Sequence, residues 1–229
     1  MSLTPRRLAS LGKAYLALAY YHPAGLADLG RWMSSLRPGR SAFTDERPWV
    51  TFPAQAWLEE VIKPTMHIFE YGAGGSTIYF SKRVASVITV EHDDSWYRSV
   101  KDVLSRMATD QHRLIFVPPE RLVDGRHTHY LSESWPGWSF EAYVRTIDKY
   151  SEETFDLVLI DGRARSACIR QAMSKIRRGG YLMVDNTDQL RYQRALKWLD
   201  RWTRQDFPGL VPYTLDPGLT SVWRRSFQM

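Results

Sequence analysis

Acidic residues stand at or beside the ends of four short apolar runs in this 229-residue chain. Glu70 lies in the run 67–71, Glu91 ends 87–91, Asp161 follows 155–160, and Asp185-Asn186 follow 181–184. Carboxylates so placed can bind hydroxyls, hold a cationic group, ligate a hard metal ion or accept a proton. Between the first two runs lies Gly72-Ala73-Gly74-Gly75-Ser76-Thr77. Glycines let a backbone turn sharply and approach a ligand closely, and a helix beginning there presents unpaired N–H groups to it. Glu91 closes the next run about 20 residues on, where an acid accepts hydrogen bonds from ribose hydroxyls. Turn and acid together imply a nucleoside-bearing ligand.

Glu70 and Thr77 bear on which one. A dinucleotide fingerprint wants a third glycine or alanine where Thr77 stands, and an acid beside a pyrophosphate is unhelpful. A methionine-derived cofactor carries a cationic amino group instead, which a carboxylate at Glu70 favours.

The elements that must position these residues alternate. From about Thr51 the pattern predicts a helix over 54–62, a strand 67–71, a helix 76–83, a strand 87–91, a helix 95–107 and a strand 114–117. It continues with a helix 140–149, a strand 155–160, a helix 167–176 and a strand 181–184. Apolar strands without alternation imply a sheet covered on both faces. A helix over 192–203 and two strands, 211–215 and 219–223, flank Asp216-Pro217-Gly218. A connection that short makes them antiparallel. In such a parallel sheet Glu91, Asp161, Asp185 and Asn186 emerge along one carboxyl edge, where open α/β sheets bind ligands.

Residues 1–50 read as an N-terminal helical extension and linker, and 51–229 as the main domain. Leu8, Leu11, Tyr15 and Leu18 recur at helical spacing, so the first helix is expected to pack on the core or on a second copy in a homodimer. Contact with a membrane through it is the lesser expectation. Its apolar stretch is too short to span a bilayer. With 44% hydrophobic and 24% charged residues the chain is an ordinary globular one. A single cysteine, Cys168, excludes an internal disulfide or a Cys-rich zinc site, and a cytoplasmic location is the default expectation. The net charge is +6, and the arginines stand in small groups without an arginine-rich arm or the spacing of a nucleic-acid-binding motif, so no specific nucleic-acid partner is expected.

Glu70 to Thr77, then Val90-Glu91-His92-Asp93, then Phe155 to Gly162 resemble the successive cofactor motifs of class I S-adenosylmethionine-dependent methyltransferases. The resemblance runs from about Thr51 to the C-terminus. It implies an α/β, Rossmann-like, seven-stranded, mostly parallel sheet with a C-terminal antiparallel hairpin and helices on both faces. It implies methyl transfer from S-adenosyl-L-methionine, with Gly72 and Gly74 lining the methionine portion, Glu91 holding the ribose and His92 beside the adenine. Glu70, Tyr71, Ser76, Thr77 and Asp161 complete the expected cofactor set.

Asp161, Asp185 and Asn186 also resemble the Mg2+ ligands of catechol-type O-methyltransferases, so a metal-assisted O-methylation is one expectation. The lysine base of those enzymes is missing: the chain reads Asp161-Gly162-Arg163-Ala164-Arg165, and arginine does not give up its proton. Metal-free N- or C-methylation is the alternative, and a non-catalytic binding protein that keeps the fold is another. Asp161 and Arg163 are the expected catalytic residues. Arg163 and Arg165 suit an anionic or sugar-like small-molecule acceptor. The stretch 118–140, with His127, His129, Trp135 and Trp138, is long enough for a lid or binding loop, and its two histidines are candidate bases.

Overall fold

The computed structural model describes residues 5–107, 110–122 and 128–227. Helix α1 (Pro5–Tyr21) and helix α2 (Leu29–Ser35) come first, and α3 (Phe52–Val61) opens the main domain. There follow β1 (His67–Tyr71), α4 (Gly75–Ser81), β2 (Ser86–Glu91), α5 (Asp94–Ser105) and β3 (His112–Phe116). The short strands β4 (Glu120–Arg121) and β5 (Trp138–Ser139) pair with each other, antiparallel. Then come α6 (Glu141–Val144), β6 (Phe155–Ile160), α7 (Arg165–Ala172), β7 (Ile176–Val184), α8 (Gln193–Leu196), β8 (Thr203–Leu210) and β9 (Pro217–Arg224).

Seven strands form one sheet in the order β3-β2-β1-β6-β7-β9-β8. β3, β2, β1, β6 and β7 are parallel, and β9 runs antiparallel to both β7 and β8. This is the seven-stranded, mostly parallel sheet with a C-terminal hairpin that the sequence implies. Alternate residues of the central strands feed two cores, as a pleat of period two requires. Phe69, Tyr71, Val158, Ile160, Leu182 and Val184 pack with Tyr143, Ile147 and Cys168 on the α6–α7 side. Ile68, Leu157, Leu159 and Met183 pack with Leu58 of α3 and Phe80 of α4 on the other.

The hairpin lies earlier in the chain than the turn residues suggest. Its first strand is Thr203–Leu210 and not 211–215, and the predicted helix over 192–203 shrinks to α8 with single turns of 3-10 helix on either side. β8 is an edge strand of the sheet, where a proline is tolerated, and Thr203 to Asp206 are exposed. β7 likewise begins at Ile176, ahead of Gly179-Gly180, with an irregularity in its pairing to β6. Between α2 and α3 the linker runs over 36–51, and Thr51 caps α3, its hydroxyl accepting from Ala54 N.

α1 sets Leu11 and Leu18 inward and Tyr15 partly so. Tyr15 donates its hydroxyl to Leu215 O at 2.6 Å, and Trp32 of α2 donates to Thr214 O at 2.8 Å. The extension is thereby fixed to the loop between β8 and β9. No helix among the described residues is long and apolar enough to cross a membrane.

Candidate active site

The parallel strands end on one edge of the sheet, and a cleft of about 900 Å3 opens there. That is the size of a pocket for a nucleoside-sized ligand. Residues 72–76 form its floor, and Glu91, His92, Asp161, Arg163, Asp185 and Asn186 stand around it.

The glycine turn is built by backbone crowding. Gly72 has φ +98°, where a side chain is strained, and its N–H donates to Val90 O. A Cβ on Gly72 would also lie 3.0 Å from Gly162, which follows β6. The ends of β1 and β6 therefore meet glycine against glycine.

Glu91 locks the turn from the side. Its Oε2 accepts from Ala73 N at 2.8 Å, and its Oε1 from His92 N at 2.7 Å and Asp93 N at 2.8 Å. His92 Nδ1 stands 2.8 Å from the same oxygen. Burial alone would raise this carboxyl, but the contacts with His92, Asp93 and Ala73 outweigh it and hold the group below its ordinary range, ionised. Trp96 donates its indole N–H to Ala73 O and closes the outer side of the turn.

Glu70 sits behind the turn rather than in the cleft. It is fully buried, and its Oε2 accepts from Thr77 Oγ1 at 2.6 Å and Thr89 Oγ1 at 2.8 Å. Burial pushes its carboxyl up to about 7, with the hydroxyls of Ser76, Thr77 and Thr89 offsetting part of the rise. Thr77 also accepts from Gly74 N at 3.0 Å, joining Glu70 to the glycine turn. Tyr71 is likewise core: its hydroxyl donates to Val144 O at 2.7 Å and its ring meets Tyr143. Of the expected cofactor residues, Gly72, Gly74, Ser76, Glu91, His92 and Asp161 line the cleft, while Glu70, Tyr71 and Thr77 support it from behind.

Asp161, Asp185 and Asn186 are brought together as expected, but around an arginine. Arg165 donates Nη2–H bonds to the carbonyl and the Oδ1 of Asp161, both at 2.8 Å, and Nε–H to Gly162 O at 3.1 Å. Its Nη1 donates to Asp185 O and, at 3.2 Å, to Asn186 Oδ1, and stands 4.0 Å from Asp185 Oδ2. Asp185 Oδ1 is itself bonded by Thr220 Oγ1 at 2.6 Å. The guanidinium thus occupies the space between the three side chains in which a Mg2+ ion would have to sit. These residues do not fit a divalent metal, and among the described residues no cluster of three or more acidic, His or Cys side chains suits one. All five donor hydrogens of Arg165 are engaged, so it is not free to fork onto an acceptor as the sequence suggested. Burial raises the Asp161 carboxyl above its usual range, with Arg165 offsetting part of this and Asp185 adding to it.

Arg163 lines the cleft and donates to Ser134 Oγ at 3.0 Å. Trp135 also lines it, stacked edge-on to His92, whereas Trp138 packs against the core. His129 borders a neighbouring hollow and not the cleft. His127 lies outside the described residues. Sequence reading missed Ala42 and Trp49 from the extension, Trp96, and Val211, Thr214 and Asp216 from the hairpin loop. Those residues reach the cleft through tertiary packing that no local pattern announces.

Charge is the cleft's most distinctive property. Among the described residues six acids line it (Glu91, Asp93, Asp161, Asp185, Asp188 and Asp216) against two arginines, in a chain whose net charge is +6. Such a lining favours a cationic ligand and opposes a pyrophosphate.

No protein-family model and no curated protein matches the sequence. Solved structures are. A methyltransferase-like protein from Silicibacter pomeroyi is 25% identical, with TM-score 0.51 over 80% of this chain and 92% of that one. A protein from Streptococcus mutans, provisionally assigned as a methyltransferase and solved in complex with SAH, is 13% identical, with TM-score 0.52 over 76% of this chain and 99% of that one. An rRNA methylase from Streptococcus thermophilus is 14% identical, with TM-score 0.52 over 76% and 97%. The chain has the Rossmann-like fold of the class I S-adenosylmethionine-dependent methyltransferases.

Proposed function

We propose that this chain is an enzyme that moves the methyl group of S-adenosylmethionine to the hydroxyl of a small, sugar-like acceptor, without a divalent metal. The observation that carries this reading is the acid-lined cleft over the glycine turn, on a sheet of methyltransferase topology. In this reading residues 51–229 are the catalytic domain and residues 1–50 an extension that completes one wall of the cleft.

The backbone of Gly72 and Gly74, with Ser76, holds the methionine portion, Glu91 takes the ribose hydroxyls, and His92 lies beside the adenine. Glu70 acts through Thr77 by fixing the turn. When bound, the cofactor supplies a methyl group already activated by a sulfonium charge. The chain's own work is alignment, exclusion of water and management of one proton. Arg165 holds Asp161 by Oδ1, which leaves Oδ2 to take the acceptor's proton. A carboxylate whose affinity for protons is raised by burial suits that task. Among the described residues Arg163, tied to Ser134, is the cation left to orient the acceptor. With acids predominating in the cleft, a neutral acceptor fits better than an anionic one, and an amine is the second reading for the same reason.

Calorimetric titration of the purified chain with S-adenosylmethionine and, separately, with NAD tests the first step. Binding of NAD with no binding of S-adenosylmethionine sinks the proposal. Methyl transfer to a panel of hydroxyl and amine acceptors, with and without EDTA, tests the second.

A further inference from the structure

The net charge of +6 is unevenly placed. Through residue 40 the sequence holds Arg6, Arg7, Lys13, Arg31, Arg37 and Arg40 against one acid, Asp28, a net of +5. The remaining 189 residues are close to neutral.

The same segment exposes apolar side chains that the fold leaves uncovered. While α1 turns Leu11 and Leu18 inward, Leu16 and Tyr20, one helical turn apart, are 72% and 79% exposed, and Tyr21 at its end is 70% exposed. Helix α2 is anchored by Trp32 and Ser35, the latter accepting from Tyr213 N. Its Leu29 and Met33, with Leu36 just beyond, follow an i, i+4, i+7 spacing and form an exposed stripe. Six of the thirteen exposed large hydrophobic residues among the described ones fall in this short segment. Lys13 and Arg37 are exposed beside them, as is Arg31, whose guanidinium pairs with Asp28 at 2.8 Å.

We propose that α1 and α2 form a docking surface for an anionic lipid bilayer, on which the chain lies without spanning it. Exposed Leu, Met and Tyr interleaved with basic residues, and almost no acid, match the interfacial zone of such a bilayer in both polarity and charge. The other occupants match one property only. A second copy docking face to face would set two segments of +5 against each other, and a nucleic acid would have no use for Leu16, Met33 and Leu36. The surface is also joined to the cleft: Tyr15 and Trp32 bond the carbonyls of Leu215 and Thr214, in the loop whose Thr214 and Asp216 line it. This inference stands independently of the reaction proposed above.

The test is co-sedimentation of the full chain with vesicles of phosphatidylcholine alone and of phosphatidylcholine mixed with phosphatidylglycerol, at low and high salt. The expected result is binding to the mixed vesicles only, weakened by salt. Leu16→Glu with Met33→Glu, both at exposed positions, lowers the partition coefficient at least about tenfold, and Lys13→Glu at least about fivefold, with circular dichroism unchanged. Three results would overturn the proposal: no binding to the mixed vesicles, binding that the double variant leaves intact, or a gel-filtration dimer that the double variant dissociates in a chain that binds no vesicles.

Discussion

Arg165 reaches back four residues to hold Asp161 by both its carbonyl and its carboxylate, each at 2.8 Å from the same guanidinium nitrogen. The contact joins the first turn of α7 to the end of β6, and Nη1 of the fork extends it to Asp185 and Asn186, just after β7. Two strand ends that would repel through Asp161 and Asp185 are neutralised by a cation built into the chain. Arginine suits this place because its fork is planar, permanently charged and supplies five donors in fixed directions.

Arg165→Met should therefore cost about 3 kcal/mol of stability, the low end for breaking a buried pair, since Asp161 keeps some access to water. Urea unfolding measures this. In the wild-type chain, EDTA should leave methyl transfer unchanged, and Mn2+ should show no bound signal by electron paramagnetic resonance. Restoration of EDTA-treated activity by Mg2+ would return the metal to the site.

Glu91 is predicted to be the side chain on which cofactor binding depends most. A glutamine there keeps one acceptor oxygen where the carboxylate serves Ala73 N on one side and His92 N and Asp93 N on the other. Loss of charge-assisted bonds of this kind is worth about 2–3 kcal/mol. Glu91→Gln should weaken S-adenosylmethionine binding about a hundredfold by calorimetry. An unchanged affinity would remove Glu91 from the ribose site.

How much of this was legible in the sequence follows from what each feature depends on. β1 and β6 have the bounds that the sequence predicts, because apolar runs between a proline or polar turn and a glycine have only one way to be buried. The positions of Glu91, Asp161, Asp185 and Asn186 followed from strand ends alone. β8 was not legible: a polar half, a proline and a glycine suit an edge strand but look like a helix end and a loop. The role of Arg165 was half legible, since Asp161 and Arg165 are spaced four apart, a distance at which an arginine can reach back to an aspartate. That its fork fills the would-be metal cage depends on β6 and β7 lying side by side, which spacing along the chain does not state. The sequence alone points Glu70 at the ligand. The pleat instead turns it toward α4 with Ile68, away from Tyr71, so it lies behind the turn.

Glu70 should leave a signature in stability against pH. Its folded value of about 7 lies above the ordinary 4.5, so the native chain keeps a proton that the unfolded chain releases. The stabilisation from this group is complete below about 4.5, is lost as pH rises through about 7, and amounts to something on the order of 3 kcal/mol. Glu70→Gln keeps a carbonyl acceptor for Thr77 and Thr89 without ionising. Urea midpoints should therefore fall from about pH 5 to about pH 8 in the wild-type chain more than in the variant. Parallel pH curves would show that Glu70 is ionised throughout.

The last prediction concerns the contact between Gly162 and Tyr143. A Cβ at Gly162 would lie 2.1 Å from the Tyr143 hydroxyl and 3.0 Å from Tyr71 O. Tyr143 is fully buried between Tyr71, His92 and Phe140 and has no room to retreat. Gly162→Ala should cost about 2–3 kcal/mol by overpacking, and because Gly162 faces Gly72 across the strand ends, it should also displace the glycine turn and weaken cofactor binding. Tyr143→Phe removes the oxygen that the new methyl group meets. In a double-mutant cycle read by urea unfolding, Tyr143→Phe should recover at least about 1 kcal/mol of the loss, a coupling expected only of groups in direct contact. Additive losses would mean that the backbone around Gly162, and not the tyrosine hydroxyl, sets the limit at this position.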